Sequence, residues 1–157
     1  MKDDSEHGDR LLLANRKARH EYEVIDKVEA GLVLLGTEIK SIRDHRVNMG
    51  DAYATIENDE AWLLQLHISP YPQAHQFNHD PLRKRKLLLH KNEIRRLRTK
   101  VLEQGLTIIP LDLHMKDNRV KVLLGVCRGK KLHDKRATAA ERTASREIDR
   151  ARRGRYE

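Results

Sequence analysis

Cysteine is nearly absent from this 157-residue sequence, which contains one such residue, Cys127. A single thiol cannot form an internal disulfide and cannot supply the several thiolates of a structural zinc site. The sequence also lacks any apolar run close to the roughly 18 residues that a membrane-spanning helix needs. Its first ten residues are polar and acidic and do not resemble a secretion signal, so we expect a cytoplasmic protein with no membrane partner.

Aromatic residues are scarce as well, at 4% of the chain, whereas charged residues make up 36%. Lys and Arg number 32 against 24 Asp and Glu, which gives a net charge of +8 at neutral pH. Such an excess of positive charge predicts a polyanionic partner, most often a nucleic acid or an acidic membrane surface. The length allows one domain of roughly 100 to 200 residues with some chain left over.

The positive charge is concentrated at the C-terminal end, where residues 128–157 carry +6 of the +8. This stretch has too few large apolar residues to offset the entropy of ordering it against a core. Its later part is rich in Ala, Arg and Glu, which gives high helix propensity without an apolar face. We therefore predict a basic tail over residues 128–157 that becomes helical on a partner, a folded body over residues 15–127 and a disordered segment over residues 1–14.

The body is predicted to consist mostly of short strands. Three pairs of apolar and β-branched segments, each pair separated by a short turn sequence, are typical of hairpins. The pairs are residues 22–28 with 32–35 around Glu29-Ala30-Gly31, residues 53–56 with 62–68 around Asn58-Asp59-Glu60, and residues 106–115 with 119–127 around Lys116-Asp117-Asn118. The first pair is also compatible with one bulged strand.

Two helices and a loop complete the predicted body. A short helix is expected between Thr37, as its N-terminal cap, and Asp44, and a longer one over residues 90–104, with Gly105 as its stop. The proline-containing residues 69–81 predict a loop. About six strands with two or three flanking helices fit a mainly β fold, a closed antiparallel barrel, of which the oligonucleotide-binding barrel is the commonest form that binds nucleic acid.

Two basic clusters point to RNA. They are Asn15-Arg16-Lys17-Ala18-Arg19-His20-Glu21-Tyr22 and Arg83-Lys84-Arg85-Lys86. Cations beside rings suit phosphate pairing combined with stacking on bases or riboses. The alternative interpretation is a solvated charged face.

Other reactive residues give weaker signals. His75 and His79 have a metal-ligand interval, but no cysteine or carboxylate set completes a site, so solvated or RNA-facing imidazoles and no metal or cofactor are expected. Cys127 is interpreted as a small core residue. Glu29 would be repelled by phosphate unless it accepts hydrogen bonds from a base edge or fixes an Arg, and a role in a turn is equally compatible with the sequence.

Six strings of the sequence, in order between residues 15 and 153, together resemble the bacterial SsrA-binding protein family, also called small protein B. They are Asn15 to Tyr22 (NRKARHEY), Glu29 to Arg43 (EAGLVLLGTEIKSIR), His67 to Tyr71 (HISPY), Asn78 to Pro81 (NHDP), Arg85 to Lys91 (RKLLLHK) and Gly129 to Arg136 (GKKLHDKR). The resemblance implies an oligonucleotide-binding-like barrel with a basic tail, in agreement with the expectation from the residues.

The resemblance also implies a function in the rescue of stalled ribosomes by trans-translation, without catalytic activity. The barrel is expected to bind the tRNA-like domain of transfer-messenger RNA (tmRNA), replacing its missing anticodon arm, and to deliver it to the A site of a stalled 70S ribosome. The tail is expected to probe the empty mRNA channel along the rRNA of the small subunit. The free protein is expected to be monomeric.

The residues that the resemblance and the basic clusters assign fall into two sets. The RNA-binding set is Asn15, Arg16, Lys17, Arg19, His20, Tyr22, Glu29, Arg85, Lys86, Leu88 and His90, among which Glu29, Leu88 and His90 carry the family's principal RNA contacts. The set for the decoding centre and mRNA channel is Gly129, Lys130, Lys131, His133, Asp134, Lys135 and Arg136. At the position of Ala144 some family members have an aromatic residue.

Two other functions remain to be distinguished at this stage. An RNA-acting enzyme would need a nucleophile, a base or a metal, for which Asp44, Asp51 and Asp112 are the available carboxylates, although their intervals match no known pattern. A structural ribosomal protein would be present on all ribosomes, whereas a rescue factor would be present on stalled ones.

Overall fold

The computed structural model of the protein describes residues 10–130, 142–144 and 146–148. Its strands are β1 (Arg10–Ala14), β2 (Tyr22–Leu32), β3 (Val47–Asn48), β4 (Tyr53–Glu57), β5 (Glu60–Leu64), β6 (His67–Ile68), β7 (Arg85–Leu88), β8 (Thr107–Lys116) and β9 (Arg119–Gly129). Its helices are α1 (Arg16–Glu21), α2 (Gly36–Arg43) and α3 (Lys91–Gln104), with a 3₁₀ helix over Pro72–Phe77 in the predicted loop.

Six strands close into an antiparallel barrel in the order β8-β4-β5-β7-β2-β9, and β9 pairs back with β8. The pairing between β4 and β8 is short and joins Ala54 to Ile108. β1 adds to β8 outside this ring, and β3 pairs with β6 as a separate two-stranded sheet. The mainly β, closed-barrel prediction is therefore confirmed, with three small strands in addition.

The last hairpin, β8 with β9, has the burial pattern and the turn that the sequence predicts. Val120, Val122, Leu124 and Val126 alternate along β9 and are all buried, so one face of this strand lines the core as the period of two predicts. The turn between β8 and β9 places Asp117 and Asn118 at positive φ, and Asn58 and Asp59 do the same between β4 and β5. Two consecutive left-handed residues form the tight turn that matches the twist of paired strands, so both hairpins are confirmed.

Helix α3 follows the sequence prediction closely. His90 is its N-terminal cap, and the chain leaves the helix at Gly105 in the left-handed conformation, with φ of 64°. Ile94 and Leu97 are buried against the barrel, which accounts for their helical spacing. In α2, by contrast, Thr37 is not the cap; its hydroxyl instead hydrogen-bonds the His79 ring at 2.8 Å.

Of the two interpretations of the first pair, the hairpin is wrong and the single bulged strand is confirmed, because β2 is one continuous strand of 11 residues with an irregular pairing. Glu29, Ala30 and Gly31 lie inside it, and the irregularity in its pairing with β9 falls earlier, between Val24 and Asp26. Gly31 has a packing role here: it pairs with Leu88 of β7, and a Cβ at this position would lie 3.1 Å from the Leu88 Cβ. The glycine permits the close approach of two strands and makes no turn.

The predicted ends of the body also need correction. Residues 10–14 were expected to be disordered but form β1, because Leu12 is buried in the core and the strand covers an edge of β8. At the other end, β9 continues to Gly129, two residues beyond the predicted boundary, since Arg128 and Gly129 pair with Glu23 and Tyr22. Residues 1–9 lie outside the described residues. Within the tail, residues 142–144 and 146–148 are helical and exposed.

Candidate RNA-binding surface

An open cavity of about 700 Å³ lies between β2, β7 and the start of α3. Four residues of the predicted RNA-binding set line it: Glu29, Lys86, Leu88 and His90. Glu29 comes from β2, Lys86 and Leu88 from β7, and His90 from the start of α3. More than 50 residues of sequence separate Glu29 from the other three, and the close packing of β2 against β7 brings them together. Lys121 of β9, paired with Gly31 of β2, also lines this surface, which we call the β2–β7 groove.

Leu88 and Lys86 present the groove with one apolar and one cationic side chain. They alternate with Arg85 and Leu87 along β7, so both face outwards, and Leu88 is 54% exposed. An exposed leucine between polar neighbours offers an apolar surface to a base or ribose. His90 lies next to it at the start of α3, where its backbone N–H donates to the Glu93 side chain at 2.9 Å and its ring remains exposed.

Glu29 is held in the groove by two basic side chains from β8. His114 Nε2 lies 3.1 Å from Oε2, and Lys116 Nζ donates to Oε1 at 3.4 Å. Partial burial of Glu29 opposes its ionisation, but these hydrogen bonds and the charge of Lys116 outweigh burial and lower the pKa of Glu29. Glu29 is therefore a fixed carboxylate that can accept hydrogen bonds from a ligand in the groove.

Sequence reasoning missed His114 and assigned Asp112 only to a possible catalytic cluster. Asp112 Oδ1 lies 2.7 Å from His114 Nδ1, so the imidazole lies between two carboxylates. The signal was present in the alternation of Asp112, His114 and Lys116, which places all three on the outer face of β8. The strand order, which brings this face close to Glu29, could not be read from the same pattern.

Arg85 does not belong to the RNA surface, and its assignment to it is corrected. Its side chain is fully buried and pairs with the equally buried Glu38 at 2.5 Å, and its guanidinium also donates to the carbonyl of Leu66. Arg83 donates to the other oxygen of Glu38. Burial opposes ionisation of Glu38, but the two guanidinium groups lower the pKa of this carboxyl. This network fixes β7 to α2 from inside the protein.

Asn15 is likewise structural. Its side chain is buried, accepts a hydrogen bond from the Ala18 backbone and donates to the carbonyls of Met49 and Pro110. It therefore caps α1 and fastens this helix to the barrel, and its amide has no group left for RNA. The prediction that Asn15 contacts RNA is corrected on this ground.

The remaining residues of the first basic cluster form a second surface around α1. Arg16, Lys17 and Arg19 are exposed, and His20 and Tyr22 are half-buried. Lys17 pairs with Asp51 at 3.2 Å on the surface, and the pair raises the pKa of the lysine. We call these five residues the α1 patch.

The structure separates the α1 patch from the β2–β7 groove. Tyr22 begins β2 and Glu29 lies seven residues further along the same strand, which corresponds to roughly 24 Å. The tail departs beside the α1 patch: Lys130 donates its backbone N–H to the carbonyl of Glu21 and its Nζ to that of Arg19. Gly129 and Lys130 of the predicted ribosome-contacting set are thus located here, and Lys131, His133, Asp134, Lys135 and Arg136 lie outside the described residues.

His79 and Cys127, the other reactive residues considered in the sequence, are both buried in the protein. His79 was expected to be solvated or to face RNA, but it is buried between the Thr37 hydroxyl and the carbonyl of Ile68. Cys127 is buried, as expected for a core residue, and burial raises the pKa of its thiol to about 11. Among the described residues, no group of three or more His, Cys, Asp or Glu side chains could hold a metal ion. None of the helices in the described ranges has the length and apolar character needed to span a membrane.

The chain is similar to known proteins over most of its length. The SsrA-binding protein of Desulfitobacterium hafniense (strain DSM 10664 / DCB-2) is 60% identical over 143 residues, covering 91% of this chain and 92% of that protein. The SsrA-binding protein of Carboxydothermus hydrogenoformans is 53% identical over 148 residues, covering 94% of this chain and 99% of the relative.

A solved structure described as tmRNA-SmpB, a journey to the center of the bacterial ribosome, contains a chain that superposes with a TM-score of 0.65. That chain is 49% identical to this one, and the match covers 76% of this chain and 85% of that one. The family model described as SmpB protein matches residues 12–154, a range that includes both the barrel and the tail. This chain therefore belongs to the SmpB protein family.

Proposed function

We propose that the protein binds the tRNA-like domain of tmRNA and acts with it in trans-translation, the rescue of stalled ribosomes. The observation that carries this proposal is the β2–β7 groove, where Glu29, Lys86, Leu88 and His90 meet on the barrel of an SmpB family member. The relatives are named for binding SsrA, and the solved neighbour for tmRNA and the ribosome. The protein acts as a non-catalytic factor in the cytoplasm and is monomeric when free.

The groove combines three kinds of contact that folded RNA requires. Leu88 offers an apolar face to a base or ribose, and Glu29 accepts hydrogen bonds from a base edge. Lys121 offers positive charge to phosphates, and so does Lys86, whose Nζ lies 3.4 Å from Glu60 Oε1 in the absence of RNA. A carboxylate in this place disfavours bare phosphate and selects RNA that presents a donor at that position. In this arrangement the barrel occupies the place of the anticodon arm that the tRNA-like domain lacks.

The α1 patch and the tail contact the ribosome. Lys130 hydrogen-bonds the backbone carbonyls of Arg19 and Glu21, so the tail leaves the barrel beside the α1 patch. A tail with +6 and little apolar content can order along rRNA phosphates in the mRNA channel of the small subunit, where counterion release favours binding. A channel occupied by mRNA excludes the tail, so the tail binds only where mRNA is absent. The protein thereby delivers tmRNA to the A site of ribosomes that lack a complete message.

A competition experiment tests the RNA-binding part of this proposal. We expect the full chain to retain tmRNA in a gel shift when challenged with an excess of ordinary tRNA. Leu88→Ala should weaken tmRNA binding about tenfold, because one stacking or apolar contact to RNA is lost. The matched control is Leu102→Ala, which removes another exposed leucine, 72% exposed on α3, and should leave affinity unchanged.

Equal binding of tmRNA and tRNA by the unaltered protein would contradict the proposal. Equal losses in Leu88→Ala and Leu102→Ala would remove the groove from the binding site.

A further inference from the structure

Strand β5 carries the only tryptophan of the chain, Trp62, on the outer face of the barrel. Its neighbours Ala61 and Leu63 are buried in the core, so the side chain of Trp62 points away from the core and is half-buried. The ring belongs to neither core of the protein, and it is not among the residues that line the β2–β7 groove. A large aromatic ring that stays outside the core is available for contact with a partner.

The register of the sheet brings Trp62 next to the groove. Trp62 pairs directly with Lys86 of β7, which lines the groove, and both side chains lie on the outer face of the sheet. Leu88 lies two residues further along β7 on the same face, so it is a diagonal neighbour of Trp62. Diagonal neighbours in an antiparallel pair lie roughly 7 to 8 Å apart, which is within reach of aromatic side chains. The indole ring and the exposed leucine of the groove therefore belong to one surface.

One face of the indole ring is covered by a contact that RNA can replace. Lys84 Nζ lies 4.4 Å from the centroid of the ring and 2.5 Å from Glu57 Oε2, and the side chains of Lys84 and Glu57 are about half exposed. Cation–π contacts and ion pairs are both weak at exposed sites. Stacking of a base on an aromatic ring is stronger than either, so a base can take the place of the ammonium group.

The charges around Trp62 balance one another. Lys84 pairs with Glu57, and Lys86 pairs with Glu60 at 3.4 Å, so two lysines face two glutamates. This part of the surface therefore has little net attraction for phosphates, and the feature that it offers to RNA is the ring. Aromatic rings bind bases that are unpaired and splayed out of loops or bulges, whereas paired bases are stacked inside a helix and do not reach them.

We propose that Trp62 is a base-stacking residue that extends the β2–β7 groove onto β5, and that its ligand is an unpaired base of the tRNA-like domain. This inference rests on the proposed function, in which the groove binds that domain. Leu88 and Trp62 then contact two nucleotides of the same RNA, and Lys86 lies beside both. The surface thereby selects RNA that presents unpaired bases over a plain double helix.

Trp62 reports on this contact directly, because its indole is the only one in the protein. The first test is the tryptophan emission of the full-length protein as the tRNA-like domain of tmRNA is added. We expect strong quenching at saturation, because a stacked base quenches indole emission, and the emission that remains should be less accessible to acrylamide. A fully paired RNA duplex of similar length should leave the emission nearly unchanged.

The affinity of variants for the tRNA-like domain is the second test. Trp62→Leu should bind about tenfold more weakly, the size of one stacked base, whereas Trp62→Phe keeps a ring and should stay within about twofold of the unaltered protein. Because no phosphate contact is lost, log affinity should depend on log salt concentration with the same slope in Trp62→Leu and in the unaltered protein.

The matched control is Tyr71→Leu. Tyr71 is also half-buried and also lies beneath a lysine, since Lys40 Nζ is 5.3 Å from its ring centroid, but it precedes the 3₁₀ helix and does not line the groove. Its replacement should leave the affinity for RNA unchanged.

Unchanged emission and unchanged acrylamide quenching, while a gel shift shows the RNA bound, would overturn the inference, and so would equal quenching by the duplex. Equal losses in Trp62→Leu and Tyr71→Leu, or a smaller salt slope in Trp62→Leu, would overturn it as well. The emission is measured on the unaltered protein, so this result stands even where Trp62→Leu does not fold. Failure of the unaltered protein to prefer tmRNA over ordinary tRNA in the gel shift would instead contradict the proposed function.

Discussion

Glu38 and Arg85 face each other inside the protein, and neither side chain has exposed surface. Ionised groups taken out of water are costly unless they are paired and their remaining hydrogen-bonding atoms are satisfied. Glu38 meets this condition, since it accepts from the guanidinium groups of Arg83 and Arg85 and from the backbone N–H of Leu35. The network connects β7, which carries Leu88 of the β2–β7 groove, to α2.

The lowered pKa of Glu38 has a consequence for acid stability. A carboxyl whose pKa in the folded state lies below its ordinary value of 4.5 contributes stability above that pH, and the contribution is lost as pH falls through the folded-state pKa. We expect Glu38→Gln to lower the free energy of unfolding near neutral pH by about 3 to 5 kcal/mol, because it leaves Arg85 buried and unpaired. The difference from the unaltered protein should shrink below about pH 4.

Urea unfolding followed by circular dichroism at several pH values measures this effect. Glu57→Gln is the control, because Glu57 pairs with Lys84 on the surface and should contribute no more than about 1 kcal/mol. A cost for Glu38→Gln that is equal to the control, or that does not depend on pH, would contradict the assignment.

Strand β7 shows which features of single residues can be predicted from the sequence. Arg85 and Lys86 are adjacent in a basic run, yet the period of two places Arg85 inside and Lys86 outside. The period predicts correctly that Lys86 and Leu88 share a face. It could not predict a buried arginine, because the partner that makes burial tolerable, Glu38, lies 47 residues away in the chain. A local pattern cannot predict ion pairs between residues that are distant in sequence, nor the contact of Glu29 with His114.

At the scale of elements, β8 and β9 pack so closely that one glycine is required. A Cβ at Gly125 would lie 2.8 Å from Leu111 Cδ1 and 3.0 Å from Cys127 Sγ. Leu111 and Cys127 are themselves fully buried, so they have little room to move. The glycine therefore allows a second small core, formed by Ala18, Ile109, Leu111 and Cys127, to lie beneath α1.

This packing predicts an asymmetry between two glycine substitutions. Gly125→Ala should destabilise the protein by about 1 to 3 kcal/mol, the typical cost of overpacking a core. Gly36→Ala is the matched control: Gly36 is the first residue of α2, a Cβ there meets nothing within 4 Å, and the substitution should be neutral or slightly stabilising. Thermal unfolding of both variants measures the difference, and equal melting temperatures would show that Leu111 gives way.

Elements with strong local signals were predictable, and those whose signal was ambiguous were not. The hairpins with Asn58-Asp59 and Asp117-Asn118 and the helix that ends at Gly105 have turn or cap residues that agree with their apolar periodicity. Gly31 suggests a turn in the sequence, but it lies within β2, where the missing side chain lets β7 approach closely. β1 was missed because its apolar run, Leu11 to Ala14, is short and its burial depends on β8, which is distant in sequence.

At the scale of the whole molecule, our proposal gives barrel and tail separate tasks. The barrel contains the groove proposed to bind folded RNA, and the tail carries +6 of the net charge. We expect a chain that lacks residues 134–157 to bind tmRNA nearly as tightly as the full chain, and to lose peptide tagging on stalled ribosomes in a reconstituted translation system. The reason is that the groove lies at the far end of β2 from the tail.

The full-length protein, assayed at the same salt concentration, is the reference, because phosphate contacts weaken with salt. Loss of tmRNA binding together with tagging in the shortened chain would refute this separation of tasks.

The barrel class was predictable from composition, strand number and turn chemistry, and the division into a body and a basic tail from the distribution of charge. The arrangement of the site was not. Both basic clusters were assigned to one RNA-binding set, but the α1 patch and the β2–β7 groove lie at opposite ends of one strand. Sequence order gives no distance between surfaces until the register of β2 is known.

Strand β2 also fixes the distance between the α1 patch and the β2–β7 groove. β2 runs unbroken from Tyr22, beside the point where the tail departs, to the groove, and β9 is hydrogen-bonded along most of it. Such a paired ribbon cannot stretch or shorten without opening the barrel. On the proposed function, β2 is therefore a rigid spacer: it keeps a constant distance between RNA bound in the groove and the residue from which the tail leaves the barrel.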